Sequence, residues 1–257
     1  MTNLDKETFE KNYTISSLHK AIKVLKAFSN DEPSLSLTEL SKKTGISVSS
    51  LQRFVATFVY EGFLIKNEKT KRYQLGYSLL YLGNLVKQES NLIAISEPIL
   101  KKLNVELGES ISLNVIDAYE RRCILNYDSP QALSSRMLVG DTAPLYAGAS
   151  SKTLLAFMPD RDKYIESIDL NPITEYTILS KETLRQQIKE IRMNGFGKSK
   201  SERVKGACSV TAPVLNDSRS IMASLTIVIP EARYNDYEEE DLIIKIKEAA
   251  LQIEKQL

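Results

Sequence analysis

The stretch TGISVSSLQRFVATFVYEGFLI, from Thr44 to Ile65, carries hydrogen-bonding side chains in its first half and mostly apolar ones in its second. The first half supplies three hydroxyls, a carboxamide and a guanidinium, from Ser47, Ser49, Ser50, Gln52 and Arg53. Glutamine can pair bidentately with adenine and arginine with guanine, while serine reaches phosphate oxygens or base edges. On a helix whose apolar half is buried, this set predicts a surface that reads DNA.

A second set is basic and follows directly in the chain. The segment FLIKNEKTKRYQLG contains Lys66, Lys69, Lys71 and Arg72, in a pattern of two short strands around a polar turn. Beside a DNA-reading helix, these cations are predicted to lie along the sugar-phosphate backbone. For any single lysine, a solvated hairpin tip is the better explanation, whereas for the set beside this helix backbone contact is favoured.

The charge distribution agrees with a polyanion partner for the front of the chain. From residue 14 to residue 76 there are ten Lys/Arg and five Asp/Glu, hence 10 − 5 = +5. The remainder holds 24 Lys/Arg and 28 Asp/Glu, or −4, although the whole chain of 257 residues has a net charge of only +1. Ordinary scatter of surface charge is the competing explanation.

The residues that enzymes use most are scarce. His19 is the only histidine, and the two cysteines, Cys123 and Cys208, are far apart in sequence. This composition disfavours histidine-based nucleophile activation and multi-histidine or thiolate metal sites. We therefore predict no catalytic residue, no metal and no cofactor.

The elements that must position the first set read as a winged helix-turn-helix. A helix is predicted from Leu18 to Phe28 behind a Ser16/Ser17 cap, and a second begins at Ser36 with a capping-box glutamate, Glu39. Ser41 and Gly45 are the small residues that let two helices cross closely. The third helix is predicted from an N-cap at Ser47 to about Glu61, and the strand pair follows.

The rest of the chain reads as a linker helix followed by a mixed α/β domain. Leucine-rich YSLLYLGNLVKQES is predicted to be helical and to help two chains associate, through Leu79, Leu82 and Leu85. Four alternating segments predict antiparallel strands, SISLNVID with RCILNYD and ACSVTAPVLND with SIMASLTIVIP. A last helix is predicted from Asp236, with Leu242, Ile246, Ala249, Ile253 and Leu257 on one face. The predicted domains are residues 14–76, 77–90 and 91–257.

Three separated stretches resemble the isocitrate-lyase-regulator (IclR) family of bacterial transcription factors. They are LSLTELSKKTGISVSSLQRFVATFVYEGFLI with RYQLG, then RMLVGDTAPLYAGASSKTLLA, then GFGKSKSERVKGACSVTAPV. The resemblance implies an α/β (α+β) chain with an N-terminal winged helix-turn-helix, a linker helix and a C-terminal GAF/profilin-like domain with a largely antiparallel sheet. It also implies a small-metabolite effector and a homodimer or homotetramer that regulates catabolic operons.

The family's effector pocket lies near the helix that opens in AGASSKTLLA. Here Ala149, Ser150, Ser151 and Thr153 would present N–H groups and hydroxyls at a helix N-terminus, which suits a carboxylate. A phosphate-loop interpretation of GASSKT fails, because Gly148 is too close to Lys152 and no glycine directly precedes that lysine. An alternative is that these small residues only pack a helix against a strand.

The opposing wall is predicted to carry Ser199, Ser209 and Thr211. Some relatives have Asp and Cys where this chain has Ser199 and Ser209, so the wall is polar but uncharged and a hydroxylated acid is favoured over an apolar aromatic one.

Three functions are compatible with these residues. The leading interpretation is a cytoplasmic transcriptional regulator that represses a catabolic operon. It would bind a near-palindromic operator and a small organic acid, and no membrane. A metabolite-binding enzyme with an accessory DNA domain would have to use Glu202, Cys208 or Lys152. The third is a winged-helix module that binds protein.

Overall fold

The computed structural model describes residues 14–135 and 137–257, and the chain forms two compact units. The first ends at Glu89 and the second spans Ser90–Leu257. Among the described residues, no helix is both long enough and apolar enough to cross a membrane.

The described residues of the first unit form four helices and a small antiparallel sheet. In chain order they are α1 (Ser16–Leu25), β1 (Ser34–Leu35), α2 (Leu37–Thr44), α3 (Val48–Tyr60), β2 (Leu64–Lys66), β3 (Tyr73–Leu75) and α4 (Tyr77–Glu89). The sheet order is β1-β3-β2, so the predicted hairpin is present with a third strand on its far side. Strand β1 was not predicted, since two residues are too few to show an alternating pattern.

The helix-turn-helix is held by local hydrogen bonds that its sequence encodes. The capping box of α2 is confirmed, because Ser36 N donates to Glu39 Oε2 at 2.7 Å and Glu39 N donates to Ser36 Oγ at 3.3 Å. Gly45 ends the helix with a φ of 71°, a left-handed conformation that favours glycine. Ser41 Oγ donates to the Ile46 carbonyl at 2.7 Å and so ties α2 to the turn.

The prediction for the first helix is wrong at both ends. The helix spans Ser16–Leu25 and its N-cap is Ile15, so Ser16 and Ser17 lie inside its first turn instead of capping it. Phe28 lies beyond its end. Leu18 and Ile22, whose apolar spacing predicts this helix, are exposed, and Val24 is the α1 residue that is buried in the core. The apolar spacing identified the helix correctly but could not tell which side the rest of the unit covers.

The second unit is a six-stranded sheet with helices on both faces. Its elements are α5 (Asn91–Leu107), β4 (Ser110–Asp117), β5 (Glu120–Tyr127), β6 (Thr142–Pro144), α6 (Ala149–Phe157), α7 (Arg161–Ser167), α8 (Lys181–Asn194), β7 (Gly197–Lys200), β8 (Ala207–Leu215), β9 (Ile221–Pro230), α9 (Glu231–Tyr234) and α10 (Glu239–Glu254). The order is β6-β5-β4-β9-β8-β7, and every neighbouring pair is antiparallel. Both predicted strand pairs are present.

The two faces of this sheet differ in chemistry. On one face, aliphatic side chains of β4, β8 and β9 pack with α5 and α10, including Leu113, Val210 and Leu225. The residues between them are polar yet buried: Ser112, Asn114, Thr211, Ser224 and Thr226. Because side chains alternate along a strand, one face is an ordinary apolar core and the other is a buried layer of hydrogen-bonding groups.

The last helix begins later than predicted. A short helix, α9, and a turn precede it, so α10 begins at Glu239 rather than at Asp236, and Glu238 is its N-cap. Leu242, Ile246, Ala249 and Ile253 are buried as expected, whereas Leu257 lies past the end and is 45% exposed. Acidic residues fill the first turn of α10, where the partial positive charge of the helix N-terminus favours them.

Candidate nucleic-acid interface and ligand cavity

Helix α3 presents its predicted DNA-contacting residues to solvent. Leu51 and Val55 are buried in the core of the first unit, whereas Ser49, Gln52 and Arg53 are exposed. Spacings of three and four residues place these three side chains on one face of the helix. The arrangement offers a hydroxyl, a carboxamide and a guanidinium to a partner along the N-terminal half of α3.

Ser47 occupies the N-cap position but does not cap the helix with its side chain. Its Oγ lies 3.2 Å from Ser49 Oγ and donates to Ser50 Oγ at 3.1 Å, which links the three hydroxyls. The first turn of α3 contains no acidic residue. The N–H groups at this end of the helix can therefore donate hydrogen bonds to a phosphate without repulsion from a carboxylate in that turn.

The wing carries its cations around one glutamate. Lys66 and Lys71 each pair with Glu68, at 2.9 and 2.8 Å, and these contacts lower the pKa of Glu68 to about 2. The hydrogen bond from Lys71 lowers this pKa most, followed by the one from Lys66. Within the described part of the chain, Lys69 forms no ion pair.

Arg72 differs from the three lysines. Its Nη2 donates to the Ser34 carbonyl at 2.7 Å and lies 2.9 Å from Glu39 Oε2. The side chain thus joins β3 to β1 and to the capping box of α2. Arg72 lies directly before β3, and these contacts hold the unit together.

A narrow cavity lies in the second unit between the N-terminus of α6 and the polar face of the sheet. Five of the seven predicted effector residues line it: Ala149, Ser150, Ser151, Ser199 and Ser209. Its free interior volume is about 30 Å³, which is room for about two water molecules. In this conformation the cavity is narrower than an organic acid, so its lining must move outward to admit one.

The other two predicted residues, Thr153 and Thr211, are fully buried and do not line the cavity. Thr211 Oγ1 donates to Thr226 Oγ1 at 2.9 Å, within the sheet. Thr153 lies one helical turn past the cavity and faces β7, where its Oγ1 would be only 2.6 Å from a Cβ at Gly197. Thr153 and Thr211 pack α6 and the sheet, so for them the alternative of plain packing is the better description.

The N-terminus of α6 already holds a carboxylate from the protein itself. Gly148 N donates to Glu202 Oε2 at 3.0 Å, and Ala149 N donates to Ser199 Oγ at 2.9 Å. Glu202 also forms a buried ion pair with Lys152, and Lys152 Nζ donates to Gln187 Oε1 at 2.6 Å. Of the predicted residues, Ala149 therefore has its N–H group bonded within the protein, while ligand binding at Ser150 and Ser151 stays a prediction.

Sequence reasoning missed the two arginines of the cavity. Arg121, from β5, and Arg203, from the β7–β8 loop, line it together with Met137. Arg121 Nη1 donates to Asn114 Oδ1 at 2.9 Å, while Nη2 is buried and has no hydrogen-bond partner among the described residues. Arg121 could have been found from the alternation along β5, because a charged residue stands there at a position where the pattern expects a buried side chain.

Burial and mutual repulsion set the charge state of these arginines. Burial, followed by the charge of Arg203, lowers the pKa of Arg121 to about 10, so its guanidinium stays protonated at neutral pH. Burial also lowers the pKa of Arg203. The cavity therefore has positive charge on one wall and hydroxyls on the other.

Two family models match the chain and together span most of it. The model described as IclR helix-turn-helix domain matches residues 17–68, and the one described as Bacterial transcriptional regulator IclR C-terminal matches residues 85–255. The chain belongs to the IclR family. It is accordingly a transcriptional regulator with a helix-turn-helix DNA-binding domain and a C-terminal effector-binding domain.

Individual IclR-family proteins agree with this assignment. HTH-type transcriptional regulator KipR of Bacillus subtilis is 32% identical over 228 residues, covering 88% of this chain and 91% of that protein. A transcriptional regulator from a Rhodococcus species has a TM-score of 0.82 and 26% identity, with 95% and 98% of the two chains covered. An IclR homologue from Microbacterium hydrocarbonoxydans, solved with 4-hydroxybenzoate, has the same fold, with a TM-score of 0.80, 21% identity and 94% and 98% coverage.

The residues that an enzyme would have needed are engaged elsewhere in this IclR-family chain. Lys152 and Glu202 are bonded to each other. Cys208 is buried, and burial raises the pKa of its thiol, which makes it a poor nucleophile. The named relatives are transcriptional regulators, as is this chain.

Proposed function

We propose that this protein is a sequence-specific repressor of a catabolic operon, released from its operator by a small organic acid. Two copies of the chain bind a near-palindromic site, each placing α3 in the major groove. The observation that carries the proposal is the exposed row of Ser49, Gln52 and Arg53 on a helix whose opposite side is anchored by Leu51 and Val55. In this assignment residues 14–76 bind DNA, 77–90 form the linker helix and 91–257 bind the effector.

The roles of the DNA-contacting residues follow from their chemistry. Gln52 and Arg53 read base edges, because each can form a bidentate pair with one base. The hydroxyls of Ser47, Ser49 and Ser50, near the open N-terminus of α3, contact phosphate. Lys66, Lys69 and Lys71 follow the backbone of the DNA from the wing, and Arg72 supports them from within the unit.

Assembly follows from the apolar surface of the first unit. Leu82 and Leu85 of α4 are 43% and 39% exposed, Leu79 is half-buried, and α4 has no buried residue. A single recognition helix reads too few base pairs to find one site in a genome, so a dimer or tetramer is required. We propose that α4 forms the contact between chains, in the bacterial cytoplasm where the operator is accessible.

Binding of the upstream DNA of the protein's own gene tests the function. Gel shifts over a series of salt concentrations should give specific binding that Arg53→Ala weakens, and added organic acids should release the DNA. Binding that is equal for this DNA and for unrelated DNA would contradict the proposal. Lys20→Ala, which removes one positive charge from α1 of the same unit, is the matched control.

A further inference from the structure

The cavity of the second unit has an unequal charge balance. Arg121 and Arg203 line it as cations, and Glu202 is the one carboxylate among its lining residues. Both oxygens of Glu202 are occupied, one by Lys152 and the other by the Gly148 N–H group. The carboxylate of Asp141 partly offsets the lowering of both arginine pKa values. Asp141 does not line the cavity, however, and its Oδ2 accepts from the Leu138 N–H group at 2.9 Å.

Arg121 is an unusual residue to leave incompletely bonded. It is only 1% exposed, and its contacts are Asn114 Oδ1 and, at 3.1 Å, the sulfur of Met137, both through Nη1. Nη2 lacks a partner among the described residues. A buried N–H group without an acceptor, such as those of Nη2, loses its hydration and forms no hydrogen bond in return, unless a ligand supplies the acceptor.

The opposite wall suits an anion less well, because it already holds the carboxylate of Glu202. The N–H groups of Gly148 and Ala149 donate to Glu202 and Ser199, and Ser150 Oγ is 2.9 Å from Ser224 Oγ. This wall also carries hydroxyl groups, including those of Ser199 and Ser209, which lie 3.2 Å apart. Such groups suit an uncharged hydroxyl or carbonyl oxygen.

We infer that the ligand is a short aliphatic acid whose carboxylate binds Arg121 and Arg203, with its uncharged end toward Ser199 and Ser209. This rests on the proposed function, in which an organic acid is the effector, and it defines where the charge lies and how large the acid is. A free volume of about 30 Å³ means that the lining must move outward for any organic acid, and it must move least for the shortest acids. The orientation is the reverse of one in which the helix N-terminus holds the carboxylate.

Thermal shifts and calorimetry on the full chain test the inference with named probes. Acetate, lactate, pyruvate and glycerate are compared with acetamide and lactamide, and gluconate and 4-hydroxybenzoate test the size limit. The short acids should raise the melting temperature, and the amides should not. For the acid that binds best, Arg121→Gln should weaken affinity by roughly ten- to a hundredfold, because a charge-assisted bond to a buried group is lost.

Two variants separate binding from folding. Glutamine at position 121 can still donate to Asn114, and it removes an unpaired buried charge, so the ligand-free melting temperature should be equal or higher. Arg122→Gln is the matched control, because Arg122 is the next residue of β5 and bonds Asp117 and Gly140 on the exposed side. If Arg121→Gln unfolds, Arg203→Gln in the β7–β8 loop takes its place, with the same loss of affinity expected.

The outcomes distinguish this inference from the proposed function. Equal binding of acids by wild type and both arginine variants would overturn the arginine site and leave an acid effector in place. Equal shifts from amides and acids, or shifts only from gluconate or 4-hydroxybenzoate, would overturn the ligand class. No shift from any short acid at tens of millimolar would also overturn it, while gel shifts without ligand would decide the DNA-binding function separately.

Discussion

At the scale of single residues, the most specific prediction concerns the DNA-binding residues of α3. Arg53→Ala and Gln52→Ala should each weaken binding to the operator by roughly 1–3 kcal/mol, since each removes a bidentate pair with a base. Both side chains are exposed, so the melting temperature should stay the same. Binding isotherms on operator and scrambled DNA measure the effect; Lys20→Ala serves as the control. If Arg53→Ala binds its operator as tightly as wild type, α3 is not the helix that reads the DNA.

Two buried threonines make a second prediction at this scale. Thr153 Oγ1 is buried without a hydrogen-bond partner among the described residues, whereas Thr211 Oγ1 donates to Thr226 Oγ1. Thr153→Val should therefore leave the free energy of unfolding unchanged or raise it by up to about 1 kcal/mol. Thr211→Val, the matched control, should lower it by about 1 kcal/mol. Denaturant melts decide, and equal losses in both variants would mean that Thr153 has a partner after all.

At the scale of elements, the wing should act through charge alone. Lys69→Ala should weaken binding to all sequences alike and flatten the salt dependence by about one unit of slope, because one phosphate contact is lost. Lys71→Ala should do the same. Glu68→Gln should strengthen binding to all sequences, since Glu68 pairs with Lys66 and Lys71 and its lowered pKa, about 2, keeps it ionised. A change in sequence preference from any of these variants would contradict a purely electrostatic wing.

The capping box of α2 predicts a pH dependence for the first unit. Hydrogen bonds from the Ser36 backbone and then its hydroxyl, with Arg72 nearby, lower the pKa of Glu39 from 4.5 to about 2. A depressed pKa means stability that is present above about pH 4.5 and is lost as the pH falls toward 2. An NMR titration should find the Glu39 midpoint near pH 2.

The same dependence should disappear from a variant without the carboxylate. Glu39→Gln should lower the stability of α2 at neutral pH and remove its change between about pH 4.5 and 2, followed through the amide signals of that helix. Asp31→Asn removes one negative charge from the same unit without touching the cap, and should keep the wild-type profile. A Glu39 midpoint near 4.5 in the NMR titration would refute the mechanism.

At the scale of the whole molecule, the linker helix should control assembly. Light scattering at micromolar concentration should report a dimer or tetramer, and Leu82→Asp with Leu85→Asp should give a monomer, because a charge in an apolar contact is costly. Val105→Asp, at a position of α5 that is 76% exposed, is the matched control and should not change the mass. A wild-type protein that is monomeric both with and without DNA would contradict the proposed assembly.

The order and type of most elements could be predicted from the sequence because their signals are local. The capping box of Ser36 and Glu39, the left-handed Gly45 and the period-2 alternation of β4, β8 and β9 each act within a few residues. Errors came where a local pattern does not say what covers it, as with Leu18 and Ile22 on α1. The same locality identified the outward face of α3, because the opposite face carries the apolar residues.

The ligand cavity is the part that only the tertiary structure decided. Lys152 and Glu202 are 50 residues apart, and the fold places the Glu202 carboxylate at the helix N-terminus that sequence reasoning had assigned to a ligand. Arg121 faces the cavity because of the register of β5, and Arg203 joins it through a loop whose path no spacing rule predicts. The sequence determines which side chains are charged. Whether such a charge is already paired depends on which distant residue the fold brings within hydrogen-bonding distance.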